Sequence, residues 1–447
     1  MNPTFQKVLA FLFSGLMFLG CYFLSAASRV EFWTIFLLYS GLFLGMIAFY
    51  FLFRIGFSWK SVFLIGLGMR ISVGLLTPNW SEDYARFLWD GKLILMGENP
   101  YAETPREWME NQDHADKDSL KDLFKKLNSP DYFSIYPPLN QAVFGISAKI
   151  GGKSELRGII ALRVILLLGE LGVFFFLFKL LERFGNFENQ VIWYWLNPFV
   201  VMEVVGNVHF EGMILVFLLI SVWALSNRQF GVSGGFWGLA VGLKLLPFIL
   251  GPAFFFFQQI KKNKVFWAVF VLILGLSFVS LLLGESYTKF FQSLRLYSGK
   301  FEFNASVYYV LREIGFWIQG YNTIQDLTKG LSLLTISLIF YFSWKRKPKT
   351  DQELVDLMVL SYLIYLILQP VVHPWYILPG LGLSVLAHRK TFVLWSFGAI
   401  FSYQAYVNPD NWENPLWLFL EYALVLVGIY WDYYPGKRNP IFEFRNQ

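Results

Sequence analysis

Residues 82–101 read EDYARFLWDGKLILMGENPY and sit between apolar stretches of the chain. Glu82, Asp83 and Asp90 supply carboxylates, Arg86 a fixed cation and Trp89 a large aromatic surface. A carboxylate within reach of a hydroxyl can take its proton as a general base. The preceding TPNWS is turn-rich and predicts a helix start near Glu82. On a helix over 82–96, Asp83, Arg86 and Asp90 share one face, while Phe87, Ile94 and Leu95 supply apolar packing. That helix is expected at a membrane boundary with its polar face toward water. The plain alternative is a set of surface ion pairs worth only about 0.2–0.5 kcal/mol each.

Other reactive side chains stand alone in apolar surroundings. Lys244 is embedded in GLAVGLKLLPF at 238–248, where an ammonium facing lipid is costly and a polar cavity is the better environment. It could instead snorkel or serve as half of a structural pair. His209 and Glu211 lie in NVHFEG at 207–212, and His373, Trp375 and Tyr376 in HPWY at 373–376. The two histidines could bind phosphate or sugar hydroxyls, or merely cap helix ends. Trp375 and Tyr376 could stack on a sugar ring or on prenyl carbons, or simply mark a membrane interface. Tyr136, Pro137 and Pro138 predict a stiff extended segment with a structural role. Arg163 and Glu170, seven residues apart on one helix face, are expected to line a cavity or brace the fold, and Arg295 is a more distant candidate.

The elements that must hold these groups are membrane helices. The chain has 447 residues, 56% hydrophobic, 20% aromatic and 15% charged, with a mean hydropathy of +0.48. Such a composition is too apolar for a water-soluble surface. The formal charge of +6 comes from Lys and Arg clustered beside apolar runs, not from a basic domain, so nucleic acid is not an expected partner. A single cysteine, Cys21, excludes an intrachain disulfide framework and any multi-cysteine metal site.

A span length of about 17–25 residues places helices near 8–26, 33–53, 61–77, 158–181, 190–206, 210–226, 264–284, 328–344, 354–371, 375–388, 391–407 and 415–432. The first run ends in SAAS and contains FLGC, features of a signal peptide or lipobox, but its length favours a retained helix. Residues 231–259, interrupted at Lys244 and Pro247, read as a broken helical hairpin. With it, Lys7, Arg54, Lys60, Lys179, Arg183, Arg228, the lysines of 261–264, the run 345–349, the 388–390 group and Lys437 with Arg438 fall on one side. The positive-inside rule makes that side cytoplasmic, with both termini there and the polar segment 78–157 opposite. After residue 102 this segment reads as one or two solvated helices with a proline stop. No internal repeat is visible, which weakens a secondary-transporter reading.

The segment SEDYARFLWDGKLILMGENPYAETP, then IYPPLNQAVF, NVHFEG, GLAVGLKLLPF and HPWY in that order resemble the glycosyltransferase-C superfamily. The likeness is to its polyprenyl-phosphate-dependent, mannosyltransferase-like branch. It implies an all-α polytopic enzyme of about 12 spans plus the broken hairpin, with a large first external loop. The resemblance makes residues 1–447 one integral membrane domain and assigns the base to Asp83, with Glu82 as its competitor. Its implied substrate-binding residues are Glu82, Arg86, Trp89, Asp90, Tyr136, His209, Glu211, Lys244, His373, Trp375 and Tyr376. Phe87 stands where the family pattern has tyrosine, a harmless change, and Glu211 where aspartate is commoner, which leaves the role of the 209–211 pair open.

The implied reaction moves a hexose, mannose by resemblance, from a polyprenyl phosphate to an acceptor hydroxyl, with inversion. The acceptor is a glycan, lipid or protein, and the active site faces away from the cytoplasm. Polyprenyl phosphate is already a good leaving group, so the chemistry needs one base and fixed positive charge, and Lys244 is the expected phosphate partner. Asp90 is expected to pair with Arg86 and fix the loop. No ligand spacing is diagnostic of a metal, and metal-independent action is expected. A transporter or flippase of lipid-linked sugars, or a polysaccharide polymerase or ligase, is the competing class.

Overall fold

The computed structural model describes residues 3–53, 58–112, 114, 117–185 and 188–434. Arg54, Lys437 and Arg438, used above for orientation, lie outside them. The described chain is almost entirely helical, with one isolated parallel bridge between Phe303 and Val371.

Five described helices are long and apolar enough to cross a membrane, namely Phe32–Phe51, Glu155–Arg183, Lys264–Leu282, Ile324–Arg346 and Pro415–Tyr433. The protein thus has the fold of a multi-pass membrane protein, but a count of 12 is finer than these lengths support. Several expected spans are short or interrupted. Trp59–Val73 has 15 residues, the expected 375–388 span divides into a 3-10 turn and Leu378–Leu386, and 391–407 passes from α-helix into a 3-10 segment at Ala399. The expected spans 190–206 and 210–226 are two arms of one bent unit that turns through 112° between Gly206 and Glu211. Residues 231–259 are broken where expected: Phe230–Leu243 ends at an extended Lys244, and Leu246–Leu250 continues as a 3-10 turn before Gly251–Phe256. Proline at 247 has no N–H to carry the helix on, so the chain restarts there.

The charged stretch forms the helix Asp83–Leu95, whose first N–H is taken up by Ser81 Oγ at 3.2 Å. Beyond Asp83, its polar face does not meet water. Arg86 is 4% exposed and Asp90 fully buried, because the helix packs against Pro138–Gly151 on one side and short loop helices on the other. The residues after 102 form the expected short helices. Pro105–Glu110 is closed by a capping box of Thr104 and Glu107, and Lys121–Phe124 lies ahead of Pro130. These helices are not solely solvated, since Trp108 is buried against Trp89.

Two glycines explain the spelling of the stretch. A Cβ on Gly91 would lie 2.2 Å from the backbone oxygen of Phe144, so no larger residue allows this approach of the two helices. Gly97 has φ of +82°, a conformation that an L side chain resists, and turns the chain out of the helix. Gly91→Ala is expected to lower stability by about 1–3 kcal/mol, the usual cost of overpacking, read as a lower thermal midpoint in detergent. Gly97→Ala would strain a turn without such a clash.

Charges are also buried between the helices. Arg70 donates to Glu170 at 2.6 Å with both side chains fully buried, while Tyr194 OH donates to the other Glu170 oxygen at 2.8 Å. Arg163 spends its donors on backbone carbonyls: Nε to Val205 at 2.8 Å, Nη2 to Gly206 at 2.6 Å and Nη1 to Gly74 at 3.0 Å. Both Arg163 and Glu170 therefore brace the bundle. Arg70→Met would strand Glu170 as a buried unpaired charge. Loss of about 3–5 kcal/mol is expected, and Arg70→Met with Glu170→Met should recover much of it in the same unfolding assay.

Candidate functional site

A cavity of about 480 Å³ opens among the helix ends, within the usual range for small-molecule sites. Nine of the candidate catalytic and binding residues line it: Glu82, Asp83, Tyr136, His209, Glu211, Lys244, His373, Trp375 and Tyr376. Arg86, Trp89, Asp90, Arg163, Glu170 and Arg295 do not. Segments as far apart in the chain as Glu82 and Tyr376 therefore meet at one place.

The first wall carries the carboxylates, and it treats them differently. Arg29, from the turn after the first helix, grips Glu82 with both terminal nitrogens, one of them at 3.0 Å to Oε2. The guanidinium also lies 4.8 Å over the Tyr406 ring. Asp83 has no arginine in its grip. It accepts from Asn128 Nδ2 at 3.3 Å and lies 3.8 Å from His209 Nε2, with a side chain still 21% exposed to the cavity. Of the two acids, Asp83 is thus the less neutralised.

Just behind this wall, Arg86 Nε donates to Asp90 at 2.8 Å and Arg86 Nη1 to the Tyr132 carbonyl at 2.9 Å. Asp90 also accepts from Ser134 at 2.5 Å and Gln141 at 2.8 Å. This network ties Asp83–Leu95 to the chain that leads into the Tyr-Pro-Pro segment. Substrate contact was expected of Arg86, Trp89 and Asp90, but the packing gives them a bracing place outside the cavity. Trp89 is wedged against Trp108 and Phe124. Tyr136 has the expected stiff setting: Pro137 is extended and Pro138 opens the next helix. Its carbonyl accepts from Tyr101 OH at 2.7 Å, so the GENPY turn holds the Tyr-Pro-Pro segment directly.

The second wall centres on Lys244. As the extended residue at the helix break, it points its ammonium to Glu211 at 2.5 Å and over the Tyr376 ring at 3.9 Å. The break is pinned from the loop side, because Asn140 Nδ2 donates to the Leu243 carbonyl at 3.0 Å. Next to this cation the lining turns apolar, with Leu243, Leu245, Leu246, Ile249, Phe290 and Leu294.

The third wall is a stack. His209 lies on Trp375 at 3.9 Å between ring centres, and His373 lies on Trp375 at 4.6 Å, nearly coplanar at 3°. Burial, with Lys244 and His209 nearby, pushes His373 down to about 3 and keeps it neutral at working pH. His209 Nδ1 is 2.9 Å from Glu203 Oε2 and His209 Nε2 is 3.3 Å from Ser81 Oγ. Glu203 is fully buried in a π-helical turn, Val201–Gly206, and also accepts from Asn207 at 3.1 Å and Tyr403 at 2.6 Å. Such turns often occur at functional sites. Between Asn207 and His209, Val208 has φ of +60°, strained for a β-branched residue.

Arg29, Ser81, Asn140 and Glu203 were not anticipated. Glu203 gave a signal, an acid inside the apolar run FVVMEVVG, since intramembrane acids mark pathways or pairs. Arg29 and Ser81 gave none that local spacing could reveal. Among the described residues no three His, Cys, Asp or Glu side chains are grouped so as to hold a metal ion. Asp90, which could have joined Asp83 and His209, is turned toward Arg86.

The fold and site define a helical multi-pass membrane protein with an acid, a lysine and stacked aromatics around one cavity. A profile of the family described as alpha-(1->6)-mannopyranosyltransferase, N-terminal domain, matches residues 14–258, more than half of the chain, and the chain belongs to that family. Alpha-(1->6)-mannopyranosyltransferase A of Mycobacterium tuberculosis is 23% identical over 331 residues, 68% of this chain and 60% of the relative. Alpha-(1->6)-mannopyranosyltransferase B of Corynebacterium glutamicum is 25% identical over 167 residues, 37% of this chain and 27% of the relative. The chain thus spans less than two thirds of the length of either relative.

Proposed function

We propose that this protein is a membrane glycosyltransferase that moves a mannosyl group from a polyprenyl phosphate to an acceptor hydroxyl, with inversion, on the non-cytoplasmic face. The observation that carries this reading is the meeting of Asp83 and Lys244 in one cavity with an apolar wall beside the lysine. A sugar phosphate attached to a prenyl chain needs each of these surfaces. The Lys244 ammonium meets the phosphate, the leucines beside it meet the first prenyl carbons, and Tyr376 meets the sugar.

Transfer proceeds in one displacement. The acceptor oxygen attacks the anomeric carbon, its proton goes to Asp83, and the bond from that carbon to the phosphate oxygen breaks. The electron pair leaves with polyprenyl phosphate, which Lys244 stabilises. Because a weakly basic phosphate departs, no second carboxylate is needed as acid, and a single base with direct attack inverts the anomeric centre. The names of both relatives support mannose as the sugar.

The test supplies the purified protein with radiolabelled polyprenyl-phosphate mannose or a labelled nucleotide mannose, each with a membrane extract of its own host as acceptor source. Label transferred from the polyprenyl phosphate supports the reading. Transfer from the nucleotide sugar alone overturns the donor assignment. Movement of intact lipid-linked sugar across vesicles, without transfer, would make the protein a flippase.

A further inference from the structure

His209 Nε2 lies 3.8 Å from the proposed base, and the ring is itself held by a buried acid, Glu203, that the reaction above leaves unused. The hold is built from several sides. Arg163 fixes the carbonyls of Val205 and Gly206 at the end of the π-helical turn. Asn207 and Tyr403 fix the Glu203 carboxylate. The strained Val208 then swings the backbone so that the His209 N–H bonds the Glu203 carbonyl at 3.1 Å while its ring turns to the cavity.

A carboxylate only accepts, so its 2.9 Å contact puts a proton on His209 Nδ1 and, in the neutral ring, makes Nε2 the acceptor. Nε2 faces Ser81 Oγ at 3.3 Å and Asp83 Oδ2 at 3.8 Å. The ring plane is set by Trp375. An imidazole needs little of this to cap a helix. A positioned proton acceptor needs all of it.

We infer that His209 is the second proton carrier of the reaction and that Glu203 is its positioning residue. This rests on Asp83 being the base. After Asp83 has taken the acceptor's proton, its O–H bond breaks and the proton passes to Nε2. The resulting imidazolium is stabilised by Glu203 on its far side, and Asp83 returns as a carboxylate for the next turnover. The imidazolium then gives the proton to the departing phosphate or to water. Among the described residues the charged groups within 4 Å of the ring nitrogens are Glu203 and Asp83, while the Lys244 ammonium lies over the Tyr376 ring.

The experiment measures transfer by the full-length protein in detergent, with kcat and donor KM determined separately. Glu203→Gln is expected to lower kcat about tenfold or more with donor KM little changed, and His209→Ala to lower it about 10²-fold, the range of general acid–base effects. Added imidazole should raise the turnover of His209→Ala, because the vacated space over Trp375 accepts it. The double variant should be no slower than His209→Ala, as for residues acting as a unit.

Failure of imidazole to rescue a folded His209→Ala, wild-type kcat in Glu203→Gln, or multiplied losses in the double variant would each overturn the inference. If Glu203→Gln does not fold, the rescue measurement decides alone. An Asp83→Asn variant with wild-type turnover would instead overturn the underlying choice of base.

Discussion

Asp83→Asn is expected to lose transfer by about 10²–10⁴-fold, the contribution of a positioned general base, while still binding the donor. The amide keeps the size and the hydrogen bond from Asn128 but cannot take a proton. Glu82→Gln is the matched control one residue away. Its ion pair with Arg29 is partly exposed, 27% and 39% for the two side chains, and such pairs contribute about 0–1 kcal/mol. A loss of at most about tenfold is therefore expected. Turnover is read with labelled donor, and donor binding by retention of the labelled lipid on the purified protein. Equal loss in the two variants would mean that Asp83 is no more critical than Glu82 and would contradict its assignment as the sole base.

Lys244→Met is expected to lower kcat by about 10²–10³-fold, the usual cost of removing one group that stabilises developing negative charge. A second effect must be kept apart from it. Glu211 is 4% exposed and would lose its ammonium partner; with Lys244 itself 31% exposed, the cost in stability is expected to fall below that of a fully buried pair, about 3–5 kcal/mol. Adding Glu211→Gln to Lys244→Met removes the stranded charge. The double variant should regain thermal stability in detergent yet remain slow. Recovery of turnover together with stability would show that Lys244 only balances Glu211.

The sequence carried much of the site because its rare polar residues stand out in an apolar chain. A lysine in GLAVGLKLLPF or a histidine in NVHFEG costs enough in a membrane segment that its position is informative, and each of Asp83, His209, Lys244 and His373 lines the same cavity. What local spacing could not tell was which polar residues face that cavity. Asp83, Arg86 and Asp90 lie on one side of their helix, yet only Asp83, at its first turn, reaches open space. Arg86 and Asp90 are closed over by the returning chain at Tyr132 and Ser134.

The span count was the least legible feature. Hydropathy sums apolar residues without regard to backbone direction, so the 190–226 region, bent through 112°, scored as two regular spans. The break at Lys244 was legible because proline and a charge announce it locally. Its purpose was not, since the Asn140 bond that holds the broken end comes from 103 residues away in the chain. Glu203 escaped notice for the opposite reason. One acid among valines changes a hydropathy average very little, and its partner Tyr403 lies 200 residues away.

The most direct test of the account is an experimental structure of the Asp83→Asn protein with polyprenyl-phosphate mannose bound. The expected result is a phosphate oxygen within hydrogen-bond reach of Lys244 Nζ, the prenyl chain leaving past Leu245 and Ile249, and the anomeric carbon open to attack from the side of residue 83. A donor seated outside this cavity, or one whose anomeric carbon faces away from residue 83 with its phosphate far from Lys244, would contradict it.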